Sequence, residues 1–473
     1  MKRTLFICTL AVLLVGLSAG AQSADFSRYV ALGDSLTAGF SSGGLVQTFQ
    51  QGSYPALLAH QAGTPDFEQP LVSEPGIPVL LTLQALLPNP VIMAPDVAPG
   101  SPINAEYPAP YNNLGVPGAN LYDLIHTTGN IMNLLAGNQD NVMHDLILRD
   151  GQHTALEQAI GLQPTFVTMW IGNNDILGAA VYGTPVEGVT MTPVADFQSM
   201  YQTALGALAT NTSADIVVVT LPDVAAIPFV TTVKPYITLP DGSHVPLIGS
   251  NGPLPEDAYV TLNGAALIAQ GYGLPPGIPG ANGEPLPEDM QVVNGVPVPG
   301  VVLRQEEISI IRDRTAAFNN IIRDTAAAMG AKVFDINDLF GSIVRGDFGV
   351  LGGITLNADF LTGGIFSYDG VHPQAVGYGL VAMSLIDFIN QTYGTSIPQV
   401  NMFQILCPGG DCAGPAETQA THAVFSAQAA EQVQRIFAPR LANAPMARRA
   451  TGAHRAVRSD HVLKVQKGAH RVQ

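Results

Sequence analysis

Only three cysteines occur in the 473 residues, and one of them, Cys8, lies in an apolar run at the N-terminus. A scaffold built on many disulfides is therefore excluded. Cys407 and Cys412 enclose Pro-Gly-Gly-Asp, and in an oxidising compartment they are expected to close a small local disulfide. Two thiolates with no nearby histidine do not complete a zinc site. The ten histidines show no His-Glu-x-x-His spacing, so neither a metal nor another cofactor is expected. Basic residues are scarcest where they would matter for nucleic acid. Between residues 22 and 412, nine Lys/Arg stand against 34 Asp/Glu, and an acidic body disfavours a phosphate backbone as partner. After Leu17 no stretch is apolar for long enough to cross a bilayer, so no transmembrane span is expected in the mature chain.

What is present is ample apolar material. At 47% hydrophobic and 12% charged, the chain can bury a large core. Lys2 and Arg3 precede an apolar run from Leu5 to Leu17, and Ala19-Gly20-Ala21 forms a small-x-small site. That pattern reads as a signal peptide over residues 1–21 and predicts an exported, periplasmic or extracellular protein. The rival reading, an uncleaved anchor, suits a longer run with a stop-transfer pattern. From Ala413 onward the charge reverses, with nine Lys/Arg against three Asp/Glu. This basic extension, within residues 396–473, is expected to be solvated and weakly ordered at its end.

Between the ends, short β-prone runs alternate with helical stretches. Tyr29–Leu32, Thr165–Ile171, Asp215–Leu221 and Lys332–Ile336 are near-continuous apolar strands, as in a parallel sheet covered on both faces. Helices are predicted over Ala195–Thr210, Gln305–Gly330 and Val376–Tyr393. The alternation implies an α/β layered domain, placed over residues 22–395. Residues 64–112 and 232–302 are rich in Pro or Gly and break the rhythm; both read as insertions. The second carries Asp241-Gly242 and Asn294-Gly295, tight-turn pairs that suggest a small β-rich cap.

Four short motifs carry chemistry. Gly33-Asp34-Ser35-Leu36 directly follows the first strand, where ligands sit in open α/β sheets. The residues after Ser35 can open a helix, so its N–H can face a developing anion. Serine needs a base, and Asp369-Gly370-Val371-His372-Pro373 offers an imidazole with a carboxylate three residues earlier to hold its tautomer. The strand-like Ile365–Tyr368 is expected just before this pair. Gly172-Asn173-Asn174-Asp175 ends another strand: Asn174 can donate to an oxyanion, and Asp175 is expected to cap the next helix. In Asn113-Leu114-Gly115-Val116-Pro117-Gly118-Ala119-Asn120, a glycine N–H can approach a substrate closely, and Gly118 is preferred over Gly115. Each motif alone also fits an ordinary turn.

Taken in their order along the chain, Gly33–Leu36, the glycine motif with Gly118, Gly172–Asp175 and Asp369–His372, the four motifs resemble the SGNH (GDSL) hydrolase family. The resemblance covers residues 26–60, 111–230 and 303–395, and leaves out the insertions and the tail. It implies a flavodoxin-like three-layer α/β/α sandwich with a parallel sheet of about five strands. It also implies Ser35 as nucleophile, His372 as base and Asp369 as its orienter. The oxyanion hole would comprise the N–H of Ser35, the N–H of Gly118 and the side chain of Asn174. The expected activity is hydrolysis of carboxylic esters, lipid-like or acetylated, through an acyl-enzyme. An acyltransferase passing the same acyl group to a sugar or sterol hydroxyl, and a surface binding protein without turnover, are the alternatives. The expected partner is a small-molecule or lipid ester; oligomeric state is not legible.

Overall fold

The computed structural model describes residues 23–85, 90–293, 296–351, 354–406 and 424–436. The predicted signal peptide, Cys407 and Cys412, and the basic residues beyond 436 lie outside the described residues.

Five parallel strands form the central sheet: β1 (Tyr29–Gly33), β2 (Asn113–Gly115), β3 (Phe166–Trp170), β4 (Asp215–Val219) and β5 (Lys332–Phe334). Their spatial order is β5-β4-β3-β1-β2. Every residue of β1 and β3 is buried, so helices must cover both faces. On one packing, Val194–Asn211 lies against Gln305–Met329, with the Phe197 and Phe318 rings stacked 3.8 Å apart. Elsewhere Ala375–Tyr393 meets Tyr54–Ala62, and its Phe388 and Tyr393 rings contact Phe334 and Phe166 of the sheet. This is the flavodoxin-like α/β/α arrangement. Among the described residues no helix is long and apolar enough to cross a membrane.

Four of the strands and all three helices stand where periodicity predicts them, shifted by a residue or two at the ends. The edge strand β2 is the exception. Its three residues, Asn-Leu-Gly, carry no β-branched signal, and pairing with β1 (Ala31 opposite Asn113, Gly33 opposite Gly115) makes it a strand. Ile365–Tyr368, expected to be strand-like, is instead one arm of a tight turn. There Phe366 bridges Pro373, and Ser367 N–H donates to the His372 carbonyl at 2.9 Å. Too few residues separate the arms for a regular ladder.

The segment 64–112 contributes Thr82–Ala85 and Val91–Met93, paired antiparallel, and Val424–Phe425 adds to them in parallel. Within 232–302 lie short hairpins, such as Tyr236–Thr238 with His244–Pro246, and the helix Leu262–Ile268. This segment has its own apolar cluster, including Leu247, Leu254, Val260, Leu286 and Val302.

Candidate active site

At the carboxyl end of β1 the chain turns sharply into α1 (Ser35–Ala38), a single helical turn. Gly33 permits the turn. A Cβ there would lie 2.1 Å from the Thr37 hydroxyl and 2.4 Å from the Trp170 carbonyl. Asp34 caps α1 by accepting the Leu36 N–H at 3.0 Å, and its other oxygen accepts Asn173 Nδ2 at 2.9 Å. The second bond ties the end of β3 to the end of β1. Burial pushes the Asp34 carboxyl up to about 6, against the opposing pull of Asn173, Leu36 N–H and His372. Asn113 of β2 supports α1 from the other side, donating to the Thr37 carbonyl at 2.9 Å.

Ser35 and His372, 337 positions apart in sequence, meet: the Ser35 hydroxyl lies 2.8 Å from His372 Nε2. His372 Nδ1 lies 2.9 Å from Asp369 Oδ2. The tight turn between Phe366 and Pro373 makes this second contact local, since it folds the carboxylate back beneath the ring. Asp369 Oδ1 accepts the N–H groups of Val371 (2.9 Å) and His372 (2.8 Å) and the Ser367 hydroxyl (3.1 Å). Gly43 N–H donates to Oδ2 at 2.9 Å, and Ser42 N–H to the Ser367 oxygen at 2.8 Å. Burial would raise the Asp369 carboxyl, but the His372 imidazole and these donors outweigh it and hold it below the usual range. The Phe40 ring packs 4.8 Å from the His372 ring, and Phe40 is itself held by Tyr378, whose hydroxyl donates to its carbonyl at 2.7 Å.

The exposures of Ser35 (4%), Asp369 (1%) and His372 (1%) show these three groups almost sealed from bulk water. Electrostatic interactions there are strong because water does not screen them. Gly118 and Asn174 are only half-buried, which leaves that side open. Val116 to Ala119 form a turn closed by Ala119 N–H to the Val116 carbonyl at 3.0 Å, with Pro117 second and Gly118 third at φ +79°. Proline then glycine with positive φ is the type II turn, which a Cβ at the third position would strain. Val116 N–H donates to the Gly33 carbonyl at 3.0 Å, which sets the turn beside the strand that delivers Ser35. Asn174 donates one amide hydrogen to the Ala119 carbonyl at 2.8 Å. Its second amide hydrogen is left for another acceptor. Ser35 opens α1, so its N–H has no acceptor within the helix. Gly115, the less favoured glycine, is a strand residue whose N–H is taken by the Asn113 side chain at 3.0 Å.

Asp175 does not cap its own helix, Asn174–Val181. Its carboxylate accepts the N–H of Leu121 (3.0 Å) at the start of the helix Leu121–His126, and the Thr192 hydroxyl (2.6 Å). The physical reason is direction. The first turn of its helix points the side chain into the protein, toward a neighbouring helix end that offers an unpaired donor. Burial, with Asp123 and Asp34 nearby, pushes Asp175 up to about 7.

Nothing in the sequence marks Ser42, Gly43 or Ser367 as supports of the site. The serines and Gly43 occupy unremarkable loops. Asn113 carries a signal, as the first residue of the glycine motif, but its support of α1 does not.

Residues 29–385 match the family GDSL-like Lipase/Acylhydrolase. No curated protein matches the chain. Among solved structures, an α/β hydrolase from the metagenome of Lake Arreo, Spain, is similar at 14% identity and TM-score 0.33, covering 79% of this chain and 99% of that one. A variant of an acetyl-xylooligosaccharide esterase from Geobacillus stearmophilus is similar at 12% identity and TM-score 0.32, covering 81% and 100%. An extracellular lipase from Streptomyces rimosus is similar at 14% identity and TM-score 0.32, covering 76% and 98%. The family match spans most of the chain and includes all four motifs, so the chain belongs to the GDSL-like lipase/acylhydrolase family and is a carboxylic ester hydrolase.

Proposed function

We propose that the chain hydrolyses carboxylic esters of lipid-like or acetylated compounds through an acyl-enzyme on Ser35. The 2.8 Å contact between the Ser35 hydroxyl and His372 Nε2 carries this reading. His372 takes the proton of Ser35 as its oxygen attacks the ester carbonyl. Asp369 orients the ring and stabilises the imidazolium. The tetrahedral oxyanion accepts from the N–H groups of Ser35 and Gly118 and from the Asn174 side chain. His372 then protonates the leaving alcohol, and water activated by the same ring releases the acid. The apolar run Leu5–Leu17 with its cleavage pattern supports export to the periplasm or beyond.

Labelling with a fluorophosphonate and turnover of p-nitrophenyl esters test the reading. Wild type should label and turn over, while folded Ser35→Ala and His372→Ala should lose turnover by roughly 10⁴-fold or more. A Ser35→Ala protein that keeps a tenth of wild-type turnover would remove Ser35 from the mechanism. A panel running from acetylated sugars to long-chain esters and phospholipids defines the substrate.

A further inference from the structure

We propose that residues 424–436, which lie beyond the 29–385 family match, brace the catalytic centre from two sides, and that Gln432 is a positioning residue for Asp369. The inference rests on the catalytic reading of Ser35, His372 and Asp369.

This segment is anchored as part of the body. Val424–Phe425 pairs in parallel with Val91–Met93, and the helix Ala427–Ile436 follows at once. Phe425, Ala429 and Val433 are buried, an apolar face at helical spacing from Ala429 to Val433. The helix presents two polar groups to two different parts of the body. Gln432 Nε2 donates to the Gly43 carbonyl at 3.1 Å and to the Val79 carbonyl at 2.7 Å. The Gln434 carbonyl accepts the Tyr182 hydroxyl at 3.1 Å.

The Gln432 arm ends one hydrogen bond from Asp369, and the second arm ends at the far end of the helix that Asn174 opens. Gly43 is the residue whose N–H donates to Asp369 Oδ2, the oxygen that also faces His372. Gly43 is thus held from outside at its carbonyl while its own N–H holds the carboxylate. The loop around it is tied further to the first insertion, through Leu81 N–H to the Ser42 carbonyl at 2.8 Å and paired bonds between Leu45 and Ile77 at 3.0 Å. Val79 belongs to that same insertion, so Gln432 joins loop and insertion in one contact. At the other arm, Tyr182 directly follows the helix Asn174–Val181, whose first residue is the proposed oxyanion donor. The Gly43 loop and the end of the helix Asn174–Val181 thus share one outer strut. Small displacements of a carboxylate or donor reduce turnover more than binding, because alignment matters most in the transition state.

The test uses the full chain. Gln432→Met keeps length and bulk but removes the donors. It should lower kcat about 3- to 10-fold, the scale of a lost hydrogen bond, with KM changed less than twofold. The low-field proton resonance of the His372–Asp369 hydrogen bond should move or broaden, which loss of distant packing would not cause. Gln432→Lys, whose ammonium donates to the same two carbonyls, should recover most of the loss. Tyr182→Phe removes one hydroxyl from the second arm and should lower kcat about 2- to 5-fold. Wild-type kcat and an unmoved resonance in Gln432→Met overturn the proposal, as does equal loss in Gln432→Met and Gln432→Lys. Should Gln432→Met not fold, an unaltered kcat in Tyr182→Phe overturns it. If Ser35→Ala is active, the catalytic reading itself fails; if Ser35→Ala is dead and Gln432→Met is not impaired, only the brace does.

Discussion

Asp369 and Asp175 occupy two regions of one molecule, each 1% exposed, and move in opposite directions from an ordinary carboxyl. Asp369 accepts from five donors: the N–H groups of Gly43, Val371 and His372, the Ser367 hydroxyl and the His372 ring. Asp175 accepts from two, Leu121 N–H and the Thr192 hydroxyl, and has carboxylates rather than an imidazole for neighbours. Burial penalises both. The count of donors and the sign of the nearest charge decide which carboxylate stays ionised. At Asp369 the fold has built a site for an anion that faces the His372 ring. At Asp175 it has built a joint between two helices.

The largest effect should come from removing the charge at the better-supplied site. Asp369→Asn should lower kcat by roughly 10⁴-fold, because an amide presents its own N–H where three backbone donors point and loses the imidazole's partner. The same change at Asp175 should lower kcat less than tenfold. Comparable losses at both would break the distinction. Steady-state kinetics on a p-nitrophenyl ester decide it.

One position away, Asn174→Ala should lower kcat by about 10²–10³-fold if its amide meets the oxyanion. A drop under threefold would leave Asn174 with only its bond to Ala119 and merge it with the structural role of Asp175. Ser367→Ala trims one donor from Asp369 and orphans Ser42 N–H. A kcat loss of about 3- to 10-fold is expected, with KM little changed. No loss would mean that the remaining four donors suffice.

The smallest effect on turnover, but a distinct one on stability, concerns pH. The folded Asp175 binds its proton up to about 7, whereas in the unfolded chain it would release it near 4. The native state therefore holds more protons in that window, and stability falls as pH rises from about 4 to 7. Asp369 works oppositely: its contribution is present above about 4 and fades as pH falls through its depressed value. Asp175→Asn removes the first term, so urea unfolding should show the variant gaining on wild type by on the order of 3 kcal/mol between pH 5 and 8. A constant difference across that range would refute the buried-acid account of Asp175.

Much of this was legible in the chain. β1, β3 and β4 are runs of apolar and β-branched residues, and burial on both faces is what such runs require. The Asp369–His372 contact is local, so three-residue spacing on a tight turn was enough to suggest it. β2 was illegible because a short edge strand borrows its conformation from β1. The role of Asp175 differs from the expected cap because a helix-start aspartate looks the same whether it caps its own helix or another's. Gly43, Ser367 and Gln432 had no signal, since ordinary residues acquired their roles only from contacts across more than 300 positions.

The sequence by itself determined the layered fold and the four chemical motifs, because periodicity and turn chemistry act over a few neighbouring residues. Only the tertiary structure decided that Ser35 and His372 touch, that the Asp369 carboxyl is pulled down while that of Asp175 is pushed up, and that the helix Ala427–Ile436 reaches the Gly43 loop. Hydrogen bonding and desolvation depend on which groups are brought together, and distant chain segments carry no mark of one another until they are packed.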